Sequence, residues 1–124
     1  MKIFTQFLFA LMFTAFAVTA MTAVAAESVT VAELHAKRIE LADKQITITG
    51  KVVKVNNSIM HRNFIHVQDG TGSGKLDRVI FTSQQTAELG DMIAATGTVK
   101  LDIDFGMGYR YPTLIEQATL KPAK

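Results

Sequence analysis

The segment Ile46–Gly72 constrains the fold of this chain more than any other part of it. It contains two apolar runs joined by a polar loop, and it closes on residues 69–72 (DGTG), a sequence typical of a turn. In the first run the apolar side changes from even positions before Gly50 to Val53 and Val55 after it. A strand whose inward side changes at a glycine is bending, and the bend lets one strand serve both halves of a closed sheet. We therefore predict the opening hairpin of a small barrel.

The first 26 residues have the pattern of a secretory signal peptide. Lys2 supplies a positive charge, residues 3–18 are almost entirely apolar, and small residues follow up to Ala26. A membrane span needs roughly 20 apolar residues, so an uncleaved anchor is the alternative. Thr and Gln interrupt the apolar run, and the small residues form an Ala-x-Ala cleavage site, so we expect removal after Ala25 or Ala26. The mature protein is then expected in the periplasm.

Residues 27–124 are enough for one domain with a single core. Lys2 is the only charged residue before them, so twelve Lys and Arg stand against eleven Asp and Glu in the mature chain. A near-neutral domain lacks the overall positive charge that drives general nucleic-acid binding. The chain contains no cysteine, which excludes disulfides, thiolate metal ligands, cysteine nucleophiles and a lipidated cysteine anchor.

A short helix and five strands are predicted in this domain. Thr30 and Glu33 form a capping box, and Val29 and Leu34 have the spacing of a hydrophobic staple, so a helix is expected within residues 28–45. Apolar alternation and turn signals then predict strands at residues 45–56, 63–68, 78–82, 91–101 and 114–120. Because closure removes exposed strand edges, we predict a mainly β, five-stranded barrel preceded by a short N-terminal helix.

Two segments carry a resemblance to a known family. Residues 50–52 (GKV) and 64–72 (FIHVQDGTG) resemble the start of the OB-fold, as in the anticodon-binding domains of tRNA synthetases. Residues 59–72 together with 104–112 (DFGMGYRYP) resemble small exported OB-fold proteins called NrfJ-like, which are found near periplasmic nitrite-reduction and cytochrome systems. His61 and Phe64 stand where those relatives often have Gly and Trp. The resemblance implies a barrel that holds a ligand on the outer face of its second and third strands.

Residues with a catalytic pattern are sparse. The loop serines stand in no nucleophile-elbow pattern. Asp102 and Asp104 would face the same side of an extended chain, which suits acid–base work or a hard cation, or else two solvated charges at a strand end. Residues 71–75 (TGSGK) lack the spacing of a phosphate loop. We expect a binding protein with no enzymatic activity.

A candidate ligand-binding face lies on the second predicted strand. If Ile65 and Val67 face the core, the alternating Phe64, His66 and Gln68 point outward. An exposed aromatic ring beside a histidine suits stacking of a base, a sugar or a peptide side chain. The residues expected to complete this site are Arg78, Arg110, Tyr109 and Tyr111. The alternative is that the leading helix or a bulge covers Phe64 and extends the core.

A candidate metal site uses a different set of residues. Met60, His61, His66 and Met107 offer imidazole and thioether ligands, which suit copper, especially Cu(I), in an exported protein. His61 and His66 are five residues apart, so on one strand they would face opposite sides. The alternative is that these are core or loop residues unrelated to a metal.

Together these patterns predict an exported periplasmic binding protein. Its ligand is expected to be a small molecule, a nucleotide or an oligonucleotide, the last two by fold analogy. The alternatives are a periplasmic copper-binding accessory protein of a nitrite reductase or cytochrome system, and a module that docks on another protein through an exposed strand edge.

Overall fold

The computed structural model describes residues 25–123, and the predicted signal peptide at 1–26 therefore lies almost entirely outside the described residues. Within these residues, six strands, two short helices and one 3-10 turn follow one another. They are β1 (Glu27–Ser28), α1 (Val31–Ala36), α2 (Arg38–Leu41), β2 (Gln45–Ile59), β3 (Arg62–Gln68), the 3-10 turn (Gly74–Leu76), β4 (Val79–Ser83), β5 (Met92–Asp104) and β6 (Arg110–Pro122). Neither helix in this part of the chain has the length and apolar character needed to span a membrane.

The five longer strands pair in a closed ring within one mixed sheet. The order is β1-β2-β3-β4-β6-β5, and a further pairing of β2 with β5 closes it. The first half of β2 pairs with β5, from Gln45 opposite Thr98 onward, and its second half pairs with β3. β4 and β6 run parallel, whereas the other ring pairs are antiparallel. The structure is therefore mainly β, as predicted, with β1 added beside the ring.

The bend of β2 arises from a glycine and a bulge. A Cβ atom at Gly50 would lie 2.4 Å from the carbonyl oxygen of Gln68, so only glycine lets the two backbones approach this closely. The change of inward side does not occur at Gly50, however, because Val52 is still buried. It occurs at the register shift between Val52 and Lys54, after which Val55 lies opposite Ile65. The predicted position of the switch was therefore wrong by a few residues.

The core fills the interior of the ring and extends under α1. Ile65, Val67 and Phe81 on neighbouring strands are fully buried, and Leu34 of α1 packs in the same cluster. The hydroxyl of Thr30 accepts a hydrogen bond from the backbone N–H of Glu33 at 3.0 Å, so it caps α1. The prediction that Ile65 and Val67 of β3 face the core is confirmed, since both are 0% exposed.

The turn at residues 69–72 attaches α1 to the ring. The Asp69 carboxylate accepts the backbone N–H of Val31 at 2.9 Å, and the Thr71 hydroxyl accepts that of Ala32 at 2.9 Å. Because the first N–H groups of a helix have no partner within the helix, these two side chains satisfy two of them from another part of the chain. The turn therefore fixes α1 against the sheet.

β5 and β6 extend further than the apolar pattern predicted. Between the strands predicted at 91–101 and 114–120, only residues 105–109 lie outside a strand, because pairing continues through Ile103 opposite Tyr111 and Asp104 opposite Arg110. Gly106 and Gly108 have positive φ values of 82° and 84°, which suit the tight reversal between the strands. This longer β5–β6 hairpin brings residues 105 and 111 onto the outer face of β3.

Candidate ligand-binding surface

Phe64 lies on the outer side of β3 but is not exposed. Its ring is 2% exposed because Tyr111 stacks on it at a centroid distance of 5.5 Å, and Phe105 meets it edge-on at 6.1 Å. The prediction that Phe64 is exposed and available for stacking with a ligand is therefore wrong. The cover comes from the β5–β6 hairpin, whereas the sequence had offered the leading helix or a bulge as the alternative.

Phe105 is a site residue that the sequence interpretation missed. It contacts Phe64 and Tyr111, and the guanidinium carbon of Arg62 lies 4.7 Å from the centre of its ring. A guanidinium at this distance from an aromatic ring makes a favourable cation–π contact. The sequence signal for Phe105 was its place in the Gly-rich hairpin segment, but only the register of β5 and β6 brings it to Phe64.

His66 occupies the middle of the same outer face and is uncharged at neutral pH. Desolvation by burial, followed by the nearby charges of Lys54 and Arg78, lowers the pKa of His66 to about 4. Its Nδ1 atom is buried and has no hydrogen-bond partner among the described residues. The strand register sets His66 opposite Lys54 on β2 and Ile80 on β4. A neutral imidazole here can take part in hydrogen bonds, and it adds no positive charge near Lys54 and Arg78.

Gln68 and Arg78 belong to one hydrogen-bonded network. Asp77 accepts from Gln68 Nε2 at 2.7 Å with one carboxylate oxygen and from Arg78 Nε at 3.0 Å with the other. The pKa of Asp77 lies below its usual value, chiefly because of the hydrogen bond from Arg78. The Nε2 atom of His35 is 2.7 Å from the backbone carbonyl oxygen of Arg78 and donates to it. His35, which had no expected role, thus holds the start of β4.

A groove of about 640 Å³ opens beside this network and is called the basic groove below. It lies between α1, the 3-10 turn, the start of β4 and the start of β6. Its walls combine apolar surface, as at Ile80 and Pro112, with several basic side chains, and no Asp or Glu is among its lining residues. The lining residues are His35, Arg38, Lys75, Leu76, Arg78, Val79, Ile80, Arg110, Tyr111, Pro112 and Thr113.

The three arginines of the basic groove have different surroundings. Arg38 donates from Nε to the Thr113 hydroxyl at 3.0 Å and from Nη2 to the Pro112 carbonyl at 2.8 Å, so it ties α2 to β6. Arg78 and Arg110 instead meet carboxylates through Nε, Arg110 at 3.3 Å from Asp104. A guanidinium has five N–H donors, and a contact at Nε leaves those of the two Nη atoms. Arg78 and Arg110 are therefore suited to receive an anion.

Asp102 and Asp104 do not act as the carboxylate pair that their spacing allowed. Asp102 lies 3.6 Å from Arg38, whereas Asp104 contacts Arg110 and accepts the backbone N–H of Gly106 at 2.8 Å. Each carboxylate thus has its own arginine partner. Both are exposed, which agrees with charged residues in a solvated hairpin.

The two tyrosines of the candidate set have separate environments. Tyr111 lines the basic groove while its ring lies on Phe64. Burial, with a smaller contribution from Tyr109, raises the pKa of Tyr111 above its usual value, so its hydroxyl stays protonated. Tyr109 is 44% exposed near the hairpin turn and is not among the residues lining the groove.

The four residues proposed for copper lie on three different elements. Met60 and His61 share the β2–β3 turn and line one shallow depression with Arg62, whereas His66 lies within β3. Met107 is 98% exposed in the β5–β6 turn. Within residues 25–123 no three or more His, Cys, Asp or Glu side chains gather as a metal-binding group. A copper site made of thioethers and imidazoles stays a prediction.

Comparisons with known proteins address the fold. No protein-family model and no curated protein sequence matches the chain. Among solved structures, it is similar to a chain described as an aspartyl-tRNA synthetase from Leishmania major, with a TM-score of 0.54 and 15% identity. The match covers 86% of this chain but 23% of that one, so the chain spans under a quarter of the length of its neighbour. The similarity and the closed ring are compatible with an OB-like fold, and the NrfJ-like resemblance finds no support in these comparisons.

Proposed function

We propose that this protein is an exported, periplasmic OB-fold binding protein that recognises a nucleotide or a short single-stranded oligonucleotide in the basic groove, without catalysing a reaction. The observation that carries the proposal is the composition of that groove, which combines four Lys or Arg side chains with a tyrosine and apolar walls. The basic side chains suit anionic phosphate groups, and the tyrosine and apolar walls suit the flat apolar face of a base.

The fold assignment rests on the strand order. The ring order β2-β3-β4-β6-β5 with a parallel β4–β6 pair is compatible with a five-stranded barrel of the OB type, which we propose here. On such barrels the second and third strands and the flanking loops bind oligonucleotides and oligosaccharides. Here those strands are β3 and β4, and the basic groove begins at Val79 and Ile80 of β4. The groove therefore overlaps the face where ligand binding is expected.

The near-neutral charge of the mature domain does not weigh against this ligand. The local charge around the binding site acts on a bound ligand more strongly than the net charge of the domain. The basic groove is lined by Arg38, Lys75, Arg78 and Arg110. The carboxylates that contact the three arginines, Asp102, Asp77 and Asp104, are not among the lining residues. A cluster of one sign in a concave surface raises the local concentration of ions of the opposite sign.

Tyr111 supplies the aromatic wall of the groove. Its stacking on Phe64 and its edge contact with Phe105 fix the ring, so less side-chain freedom is lost when a base packs against it. Base–aromatic stacking contributes about 1–3 kcal/mol per base. Phe64 and Phe105 would then act as supports for Tyr111 and not as direct ligand contacts.

The test is a fluorescence anisotropy titration of the mature protein with a labelled single-stranded oligonucleotide of about 12 nucleotides, within the range of site sizes for single OB folds. We expect the affinity to fall with increasing salt concentration. Unlabelled nucleoside monophosphate should compete with the labelled oligonucleotide. The double variant Arg78→Ala/Arg110→Ala should weaken binding strongly. Lys121→Ala removes a positive charge at the other end of β6 and serves as the matched control. Absence of binding at physiological salt, or equal losses in both variants, would overturn the proposal.

A further inference from the structure

Arg78 makes two contacts, one through its side chain and one through its backbone, and its side-chain partner is itself held by a third residue. Its Nε donates to Asp77 at 3.0 Å, and its backbone carbonyl accepts from His35 Nε2 at 2.7 Å. Asp77 is itself fixed by Gln68 Nε2 at 2.7 Å from the neighbouring strand. The side chain of Arg78 is 35% exposed, so part of it is accessible to a ligand.

The orientation of the guanidinium follows from these contacts. The Nε edge points to Asp77, so the N–H groups of the two Nη atoms are free of this contact. Phosphate groups are often bound by two parallel N–H donors of one guanidinium, and a preoriented guanidinium loses less conformational freedom when it does so.

We propose that Asp77 is a positioning residue that aims Arg78 at a phosphate group of the ligand, with Gln68 completing the positioning contact. This inference rests on the proposed function and assigns a role to one carboxylate beside the groove. It also changes the role of Gln68, which was predicted to contact the ligand and instead binds Asp77.

The proposal and simple electrostatics predict opposite effects on anion affinity when the Asp77 carboxylate is removed. Removing a carboxylate next to a basic groove should tighten anion binding if charge alone matters. If Asp77 positions Arg78, its removal should weaken binding, because the guanidinium must then be ordered by the ligand. The two explanations therefore predict opposite changes in the dissociation constant.

The experiment measures the dissociation constants of inorganic pyrophosphate, by competition, and of the labelled oligonucleotide for the wild type and five variants, one of which is Arg78→Ala alone. Asp77→Ala is expected to weaken binding by about tenfold, the size of one lost charge-assisted contact. Asp77→Asn retains one acceptor oxygen and should restore part of the affinity. In an Arg78→Ala background, Asp77→Ala should cause no further loss. Asp43→Asn removes a carboxylate that pairs with Lys100, outside the groove lining, and is the matched control.

The outcomes separate this inference from the proposed function. If Asp77→Ala binds more tightly and Arg78→Ala binds more weakly than wild type, the positioning role is overturned. The groove then still stands as the binding site. An Asp77→Ala loss that persists in the Arg78→Ala background would also overturn it. Absence of wild-type binding to both probes would overturn both. Thermal unfolding of each variant should change little, because partly exposed ion pairs contribute little to stability.

Discussion

Tyr111 stacks on Phe64 with the ring centroids 5.5 Å apart and the ring planes inclined by 30°. This contact joins the β5–β6 hairpin to the outer face of β3, so the interior of the ring is not the only apolar cluster in the molecule. The same tyrosine lines the basic groove. The stability of the hairpin and the shape of the groove therefore depend on one side chain.

Replacing Tyr111 tests this double role. Tyr111→Ala should lower the free energy of unfolding by about 2 kcal/mol, because an aromatic pair and the cover of Phe64 are both lost. Urea denaturation followed by circular dichroism measures the change. Tyr111→Phe keeps the ring and should stay within about 0.5 kcal/mol of wild type. An equal destabilisation by both variants would show that the hydroxyl, and not the stacked ring, carries the effect.

The sequence encodes the interior of the ring better than its outer surface. Ile65 and Val67 alternate with Phe64, His66 and Gln68, and this period of two alone fixes which side of β3 faces the interior of the ring. The capping box at Thr30 and Glu33 is equally local. The cover of Phe64 is not local, because it depends on the register that pairs Ile103 with Tyr111 across the hairpin.

The polar contacts of the site also could not be predicted from the sequence pattern. Arg38 lies 75 residues from Thr113, and His35 lies 43 residues from Arg78, so no spacing rule links them. The turn at 69–72 was predicted correctly as a turn, but its role in capping α1 through Asp69 requires the arrangement of helix and ring. Side chains that join distant segments need the completed fold before their partners are known.

Gly50 gives a prediction about the bend of β2. Gly50→Ala should lower the free energy of unfolding by about 2–3 kcal/mol, because the added Cβ would lie 2.4 Å from the backbone oxygen of Gln68. A backbone atom in a strand cannot move aside as a flexible side chain can. Thr49→Ala at the neighbouring exposed position is the control and should cost about 0.5 kcal/mol. Similar costs for the two variants in chemical denaturation would contradict the close approach.

Asp69 gives a prediction about pH. Burial alone would raise the pKa of Asp69, but hydrogen bonds from the Thr71 hydroxyl, the Val31 N–H and the Thr71 N–H together lower it below the usual 3.8. A lowered carboxyl pKa in the folded state stabilises the protein above pH 3.8, and this stability is lost as the pH falls through the folded value. Asp69→Asn should therefore cost about 1 kcal/mol at pH 7, and the difference from wild type should shrink below pH 3.8. A difference that stays constant down to acid pH would contradict the role of the ionised carboxylate.

His66 gives a dependence of the same direction in a higher pH range, because its pKa is also lowered on folding. Its pKa falls from 6.5 to about 4 in the folded protein, so the unfolded chain binds the proton more readily between these values. Stability contributed by the neutral ring is thus present above pH 6.5 and decreases as the pH falls toward 4. His66→Leu removes the titrating group and should reduce the loss of stability over this range by about 2 kcal/mol, measured as the unfolding free energy at pH 7 and at pH 4.5. Nuclear magnetic resonance titration of the wild-type imidazole should give a midpoint near 4. A midpoint near 6.5 would mean that the ring is solvated and that Lys54 and Arg78 do not act on it.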